Sequence, residues 1–188
     1  MLKDAILFRI AGLVLTVIFF AGVSALADQS QVIKPADVPR KVYENFLKNY
    51  RDAKVDKIEK EEEKGKVYYE FEIKSGDREK TIIYREDGNL YAVETMISPK
   101  SLPRSVVDAI KKAYPDGEID EADEIVKGKE TSYEVVVEIE KDGKETEYEI
   151  LITADGKILE TQQIMRDDDE YGDKDEDGDF EEDGDEED

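Results

Sequence analysis

Neither cysteine nor histidine occurs anywhere in the 188 residues, and these two absences remove most familiar site chemistries. Disulfide scaffolds, thiolate or imidazole zinc centres, and nucleophile–base pairs built on cysteine or histidine need side chains that this chain does not possess. Positive charge is scarce as well. Against 50 Asp and Glu stand only 27 Lys and Arg, a net charge of −23. An excess of that size disfavours nucleic acid and anionic membrane surfaces as partners, and suits cations or proteins with a basic surface. The groups left for acid–base or nucleophilic work are carboxylates, Ser, Thr, Tyr and Lys. None stands in a motif with role-defining spacing, so the chain reads as non-enzymatic, with no catalytic residue and no resident cofactor.

The acidity is unevenly spread. Residues 167–188 hold 16 acidic residues and one Lys, and so carry −15 of the −23. Residues 1–166 keep only −8, so tail and body are different kinds of polymer. Within the tail, Asp173, Asp175 and Asp177 followed by Gly178, Asp179 and Glu181 match the opening of a calcium loop, where alternate carboxylates converge and glycine permits the sharp turn. The twelfth position, which should be a bidentate Glu, is Gly184. Two readings stand: weak calcium binding at these five carboxylates, and a disordered polyanion whose Asp-Gly spacing follows from composition.

Residues 1–27 open with Lys3 and Arg9, continue through an apolar run over 10–23, and end Ser24-Ala25-Leu26-Ala27. That is the pattern of a cleaved secretory signal, and it predicts a periplasmic or secreted protein. Membrane contact is expected only through this segment, were it to remain uncleaved. No cysteine follows it, which excludes a lipid-anchored lipoprotein.

The body is organised around residues 133–159, where apolar and charged residues alternate and Asp142-Gly143 and Asp155-Gly156 punctuate the alternation. Period two with Asp-Gly pairs predicts three antiparallel strands joined by tight turns. Upstream, Val38, Val42, Phe46 and Tyr50 recur every fourth residue after Pro39, a helix with a narrow apolar stripe. Strand character follows at 53–60, 66–74, 80–85 and 90–97. The pattern then restarts: Leu102, Val106, Ile110 and Tyr114 repeat the stripe at a shift of 64, and Asp155-Gly156-Lys157-Ile158 repeats Asp87-Gly88-Asn89-Leu90 at 68. The chain thus contains an internal repeat. The expected fold is α+β: a signal at 1–27, a linker at 28–36, repeats at 37–99 and 100–166, and a disordered acidic tail at 167–188. Each repeat is expected to be one helix packed on a four-stranded antiparallel meander.

These residues carry a family resemblance. A helix opened by Leu102-Pro103, the exit Tyr114-Pro115-Asp116-Gly117-Glu118-Ile119, the strand from Tyr133-Glu134 and the turns Asp142-Gly143-Lys144 and Asp155-Gly156-Lys157-Ile158 resemble the PepSY-like, beta-lactamase-inhibitor-like domains of secreted bacterial proteins. The resemblance spans residues 34–165. The first repeat departs from it, with Tyr50-Arg51-Asp52-Ala53 lacking the proline and Ser75-Gly76 in place of Asp-Gly. It implies a periplasmic or secreted binding or inhibitory module, and no particular target.

Alternation also places apolar residues on the sheet face turned away from the helices: Tyr68, Ile83, Tyr91 and Val93 in the first repeat, and Val136, Leu151 and Leu159 in the second. A sheet covered on one side is normally polar there. Either the repeats, or copies in a homo-oligomer, pack these clusters together, or they form a binding patch rimmed by Glu70, Glu72, Glu134 and Glu138. Other acids read as structural: Glu59, Glu61, Glu62 and Glu63 as a solvated turn, and Glu118, Asp120, Glu121, Asp123 and Glu124 as charges guarding an edge strand. The function expected is binding of a protein or peptide of the cell envelope, with basic surface, through the sheet face or hairpin loops. The alternative is a calcium-responsive protein that acts through its tail.

Overall fold

A computed structural model describes residues 29–164 apart from Lys64, Asp77 and Asp142. The expected signal, the acidic tail and the calcium candidates Asp173, Asp175, Asp177, Asp179 and Glu181 lie outside the described residues.

Among the described residues, nine strands and two α-helices follow the repeat. A short strand β1 (Gln29–Val32) precedes helix α1 (Arg40–Tyr50) and strands β2 (Lys54–Glu63), β3 (Lys66–Ser75), β4 (Arg78–Arg85) and β5 (Leu90–Met96). Helix α2 (Arg104–Ala113) then leads into β6 (Glu118–Lys127), β7 (Glu130–Lys141), β8 (Lys144–Thr153) and β9 (Ile158–Ile164). Pro39 and Pro103 occupy the N-cap positions of the helices, where a missing N–H leaves no bond unmade.

The two expected four-stranded sheets are one sheet. All nine strands pair antiparallel in sequence order, and the repeats join where β5 meets β6 at Val93–Val126, Glu94–Ile125, Thr95–Glu124 and Met96–Asp123. Two exposed edges, each a row of unpaired N–H and C=O groups, satisfy one another by this pairing. Three further expectations change with it. Glu118, Asp120, Glu121, Asp123 and Glu124 belong to an interior strand, so edge protection is not their role. Gln29–Val32, inside the stretch read as a linker, pairs with Glu59 to Glu62 as an added outer strand. Those glutamates therefore lie in β2, with Glu63 buried, and are not a solvated turn.

Both helices lie on one face. Val38, Val42 and Phe46 pack on Tyr69, Phe71, Ile73, Ile82 and Tyr84, and the Phe46 and Phe71 rings stack at 4.1 Å. Leu102, Val106 and Ile110 pack in the same way on Tyr133, Val135, Val137, Ile150 and Ile152. The four-residue stripe thus meets the period-two stripe in each repeat, the packing that hides both.

Two matched turns hold the sheet to the helices. In the first repeat Asn45 Nδ2 donates to the Gly88 carbonyl at 2.8 Å, and in the second Ser105 Oγ donates to the Ala154 carbonyl at 2.6 Å. Gly156, at φ +86°, lies so close that an added Cβ would stand 2.5 Å from the Ser105 carbonyl oxygen, whereas at Gly143, φ +74°, it would meet nothing. Both positions favour glycine by backbone conformation, but only one is closed by a neighbour. We expect Gly143→Ala to cost about 1 kcal/mol and Gly156→Ala roughly 2–3 kcal/mol or more. Urea denaturation of the two variants checks this. Equal losses would show that the turn does not rest on the helix.

Candidate functional site

The face opposite the helices is built entirely from strands among the described residues. Tyr68 from β3, Ile83 from β4, Tyr91 and Ala92 from β5 and Ile125 from β6 form a buried cluster, with Leu151 of β8 packed against it. Its members come from both repeats, so the cluster spans the β5–β6 seam. Tyr68 and Tyr91 stand 4.7 Å apart at 41°. Two cations cover Tyr91: the Arg85 guanidinium 4.6 Å and the Lys127 ammonium 4.3 Å from its ring centre. Lys127 also donates to the Tyr91 hydroxyl at 2.7 Å. Long basic side chains lie over aromatic rings through both their apolar stems and their charge, and in this way Tyr91 is only 6% exposed without a covering layer. Burial, then the neighbouring Tyr68, raises its hydroxyl pKa.

The residues expected on this face divide. Tyr68, Ile83, Tyr91 and Leu151 come together. Val136 is buried between Glu121 of β6 and Glu149 of β8, apart from that cluster. Leu159 is half-buried on β9. Val93 does not belong here: it packs on the first helical core. Ile83 pairs with Ala92 while Tyr84 pairs with Leu90, so Tyr91 is the extra residue of a bulge. A bulge resets the alternation; Tyr91 and Ala92 share a face and Val93 turns to the other. The corresponding extra residue on β9 is Leu159.

Around the apolar cluster runs an oblique line of carboxyls. Glu70 and Glu134, which alternation puts at the rim of a patch, are joined by Glu61, Glu94, Asp123 and Glu149. Burial, then the charge of Glu61 and a hydrogen bond with it, holds Glu70 well above the usual carboxylate range. Burial, then Glu149, does the same for Glu134, which donates to Glu149. The Glu149 carboxyl is itself raised, first by burial. Burial, then Glu70 and Asp123, raises Glu94 well above the range. Its Oε1 is closed to solvent and has no hydrogen-bond partner. Asp123 is pushed up to about 6 by burial and then by Glu121. Lys57 pairs with Glu72 at 2.6 Å and Glu59 at 3.0 Å, and Lys74 with Glu79 at 3.2 Å.

Glu94 and Asp123 are not legible as site residues in the sequence. Each looks like the polar half of an ordinary alternating strand, and only the seam pairing puts them beside each other. A cavity of about 330 Å³ opens over this region, bordered by Thr81, Glu94, Met96, Asp123 and Glu134. Among the described residues no set of three or more acidic side chains is arranged to hold a metal ion.

Carboxyl pKa values raised by folding give a definite pH dependence. Folding favours the neutral form, so this stability is fully present below about pH 4, where folded and unfolded chains are both protonated. It is lost as pH rises through about 6, the Asp123 value, and through the raised range of the buried glutamates. We expect Glu94→Gln to raise the melting temperature at pH 8 and to change it little at pH 4. An equal effect at both pH values would show that ionisation at Glu94 carries no cost. Truncation of the aromatic pair should act otherwise: Tyr68→Ala or Tyr91→Ala should each cost about 3 kcal/mol at any of these pH values. An unchanged melting temperature would mean that the cluster does not bind the repeats together.

Comparison with known proteins follows the same outline. A family model described as "Putative beta-lactamase-inhibitor-like, PepSY-like" matches residues 26–92 and 68–165. No curated protein matches the chain. Among solved structures, a protein described as periplasmic from Bacteroides eggerthii aligns with TM-score 0.55 at 19% identity, covering 67% of this chain and 88% of its own. A DUF2874 family protein from Bacteroides uniformis gives 0.54 at 19%, over 66% and 88%. A BLIP-like protein from Bacteroides fragilis gives 0.50 at 22%, over 71% and 92%. At these identities the likeness establishes a shared fold.

Proposed function

This chain belongs to the beta-lactamase-inhibitor-like, PepSY-like family, and from that premise we propose a non-enzymatic periplasmic module that binds an envelope protein through the strand-built face of its sheet. The observation that carries the reading is that face itself. Helices cover one side of nine strands, and the other side has no covering element among the described residues, yet it presents a cavity and the half-exposed Met96. A wide surface that combines a cavity, exposed apolar area and polar surroundings has the anatomy of a protein interface. Export is supported by the N-terminal signal pattern and by the description of a structural neighbour as periplasmic. The lack of cysteine and histidine supports binding over catalysis. Restraint of an envelope enzyme is the form of binding that the family description suggests.

Tyr68, Ile83, Tyr91, Val136, Leu151 and Leu159 serve this reading as the support beneath the surface, with partner contact made by what surrounds them. Val93 plays no part in it. The test is affinity capture from envelope extract, with the full chain beside Met96→Glu and a chain ending at Arg166, calcium present. We expect one partner retained by the full and shortened chains and depleted at least tenfold by Met96→Glu, equivalent to about 1.4 kcal/mol. Capture that survives Met96→Glu but disappears with residues 167–188 would transfer function to the acidic tail.

A further inference from the structure

The cavity on the strand-built face has an unusual charge balance. Its carboxyls are Asp56, Glu72, Glu79, Glu94, Asp123 and Glu134, and its cations are Lys74 and Lys80. Lys74 is engaged by Glu79 and, at 4.0 Å, by Asp56, while Glu72 is matched by Lys57. Among the described residues no ion pair reaches Glu94, Asp123 or Glu134. These three carboxyls stand together because Met96 of β5 pairs with Asp123 of β6, which pairs with Glu134 of β7, and Glu94 lies two residues before Met96. Burying an acceptor without a donor is costly, so the orphaned Oε1 of Glu94 marks a place where a donor is missing.

The geometry points to a recognition pocket for one lysine or arginine side chain of the protein partner, whose cation is received by Glu94, Asp123 and Glu134. This inference rests on the reading of this face as a binding surface. One positive charge enters and one proton leaves to solvent, so the pocket's charge is unchanged. Three features choose this occupant. Glu94, Asp123 and Glu134 supply acceptors and no permanent donor once ionised, which matches an ammonium or guanidinium group. About 330 Å³ is far more than a bare ion needs, and Met96 at its border offers apolar surface for the methylene stem of a long basic side chain. A calcium ion requires six to eight oxygens converging at 2.3–2.6 Å, and no such convergence is found among the described residues.

Proton exchange follows from the company that Glu94 keeps. Facing it or the cavity are Glu61 and Asp56 from β2, Glu70, Glu72 and Lys74 from β3, and Glu79 and Lys80 from β4. From the second repeat come Asp123, Glu134 and Glu149. With Lys74 held by Glu79 and the acids outnumbering the cations, these acids repel further ionisation, and an arriving cation removes that penalty.

The test uses the full chain, isotopically labelled, and follows backbone amide signals during titration with N-acetyl-lysine methylamide, its arginine counterpart and the uncharged norleucine counterpart. We expect the two cationic probes to move Thr81, Met96, Asp123 and Glu134, and norleucine to leave them still. Affinity should rise from pH 5 to pH 7, by up to tenfold for each pH unit over which one proton is displaced. Glu94→Gln and, independently, Glu134→Gln should each weaken binding roughly tenfold, a loss of one charge-assisted hydrogen bond, with the remaining amide spectrum preserved. The inference is overturned if the cations move only residues 167–188, if norleucine acts equally, or if affinity falls as pH rises. Calcium chloride moving these signals where the lysine probe does not would overturn it in favour of a metal. Capture lost in Met96→Glu together with silent titrations would remove the lysine pocket and leave the binding face standing; titrations that succeed while capture is unaffected by Met96→Glu would do the reverse.

Discussion

Four residue pairs between β5 and β6, from Val93–Val126 to Met96–Asp123, turn two repeats into one molecule. Each repeat alone would be a small helix-covered meander with two open edges, near the size at which a single core becomes marginal. Pairing the inner edges satisfies backbone groups that otherwise face water, and draws the strand-built faces of both repeats into one plane. The tyrosine-rich cluster depends on this, since Tyr68, Ile83, Tyr91 and Ala92 reach Ile125 and Leu151 only across the seam. The carboxyl line depends on it as well, because Glu94 lies on one side and Asp123 on the other.

The two faces are stabilised by different physics. On the helical side, burial of apolar stripes suffices, and the repeats solve it in the same way with Val42, Phe46, Val106 and Ile110 at the centres. The other side has no second layer among the described residues. There the rings are protected by one another and by the stems and charges of Arg85 and Lys127. Glu94, Asp123 and Glu134 lose hydration beside them, and burial shifts these carboxyls toward the neutral form. A face whose carboxyls are shifted toward the neutral form loses stability as pH rises. It is also ready to exchange the protons of those carboxyls for a partner's charge, which links the cost of the face to its proposed use.

Much of this protein was legible in its residues. The stripes Val38, Val42, Phe46 and Leu102, Val106, Ile110 marked both helices, and the alternation over 133–159 marked strands whose hairpins fall at Gly143 and Gly156, because side-chain periodicity and positive-φ glycine are local properties of the chain. The family resemblance rested on the same local motifs. Tyr68, Ile83, Tyr91 and Leu151 could be placed on the outer face by counting in twos. Counting failed at Val93, where the bulge at Tyr91 shifted the phase, and no residue in Asn89-Leu90-Tyr91-Ala92 announces a bulge.

What only the tertiary structure decided is everything that depends on pairing between residues distant in sequence. One sheet or two, an added β1, and the interior position of β6 all turn on which edge finds which partner, and an edge offers the same N–H and C=O groups to any strand. The carboxyl line was hidden for the same reason. A glutamate on an alternating strand is an ordinary solvated residue until a neighbouring strand brings another carboxyl beside it and excludes the water between, so the sequence by itself determined the elements and their faces, while long-range register decided which charges must share a proton.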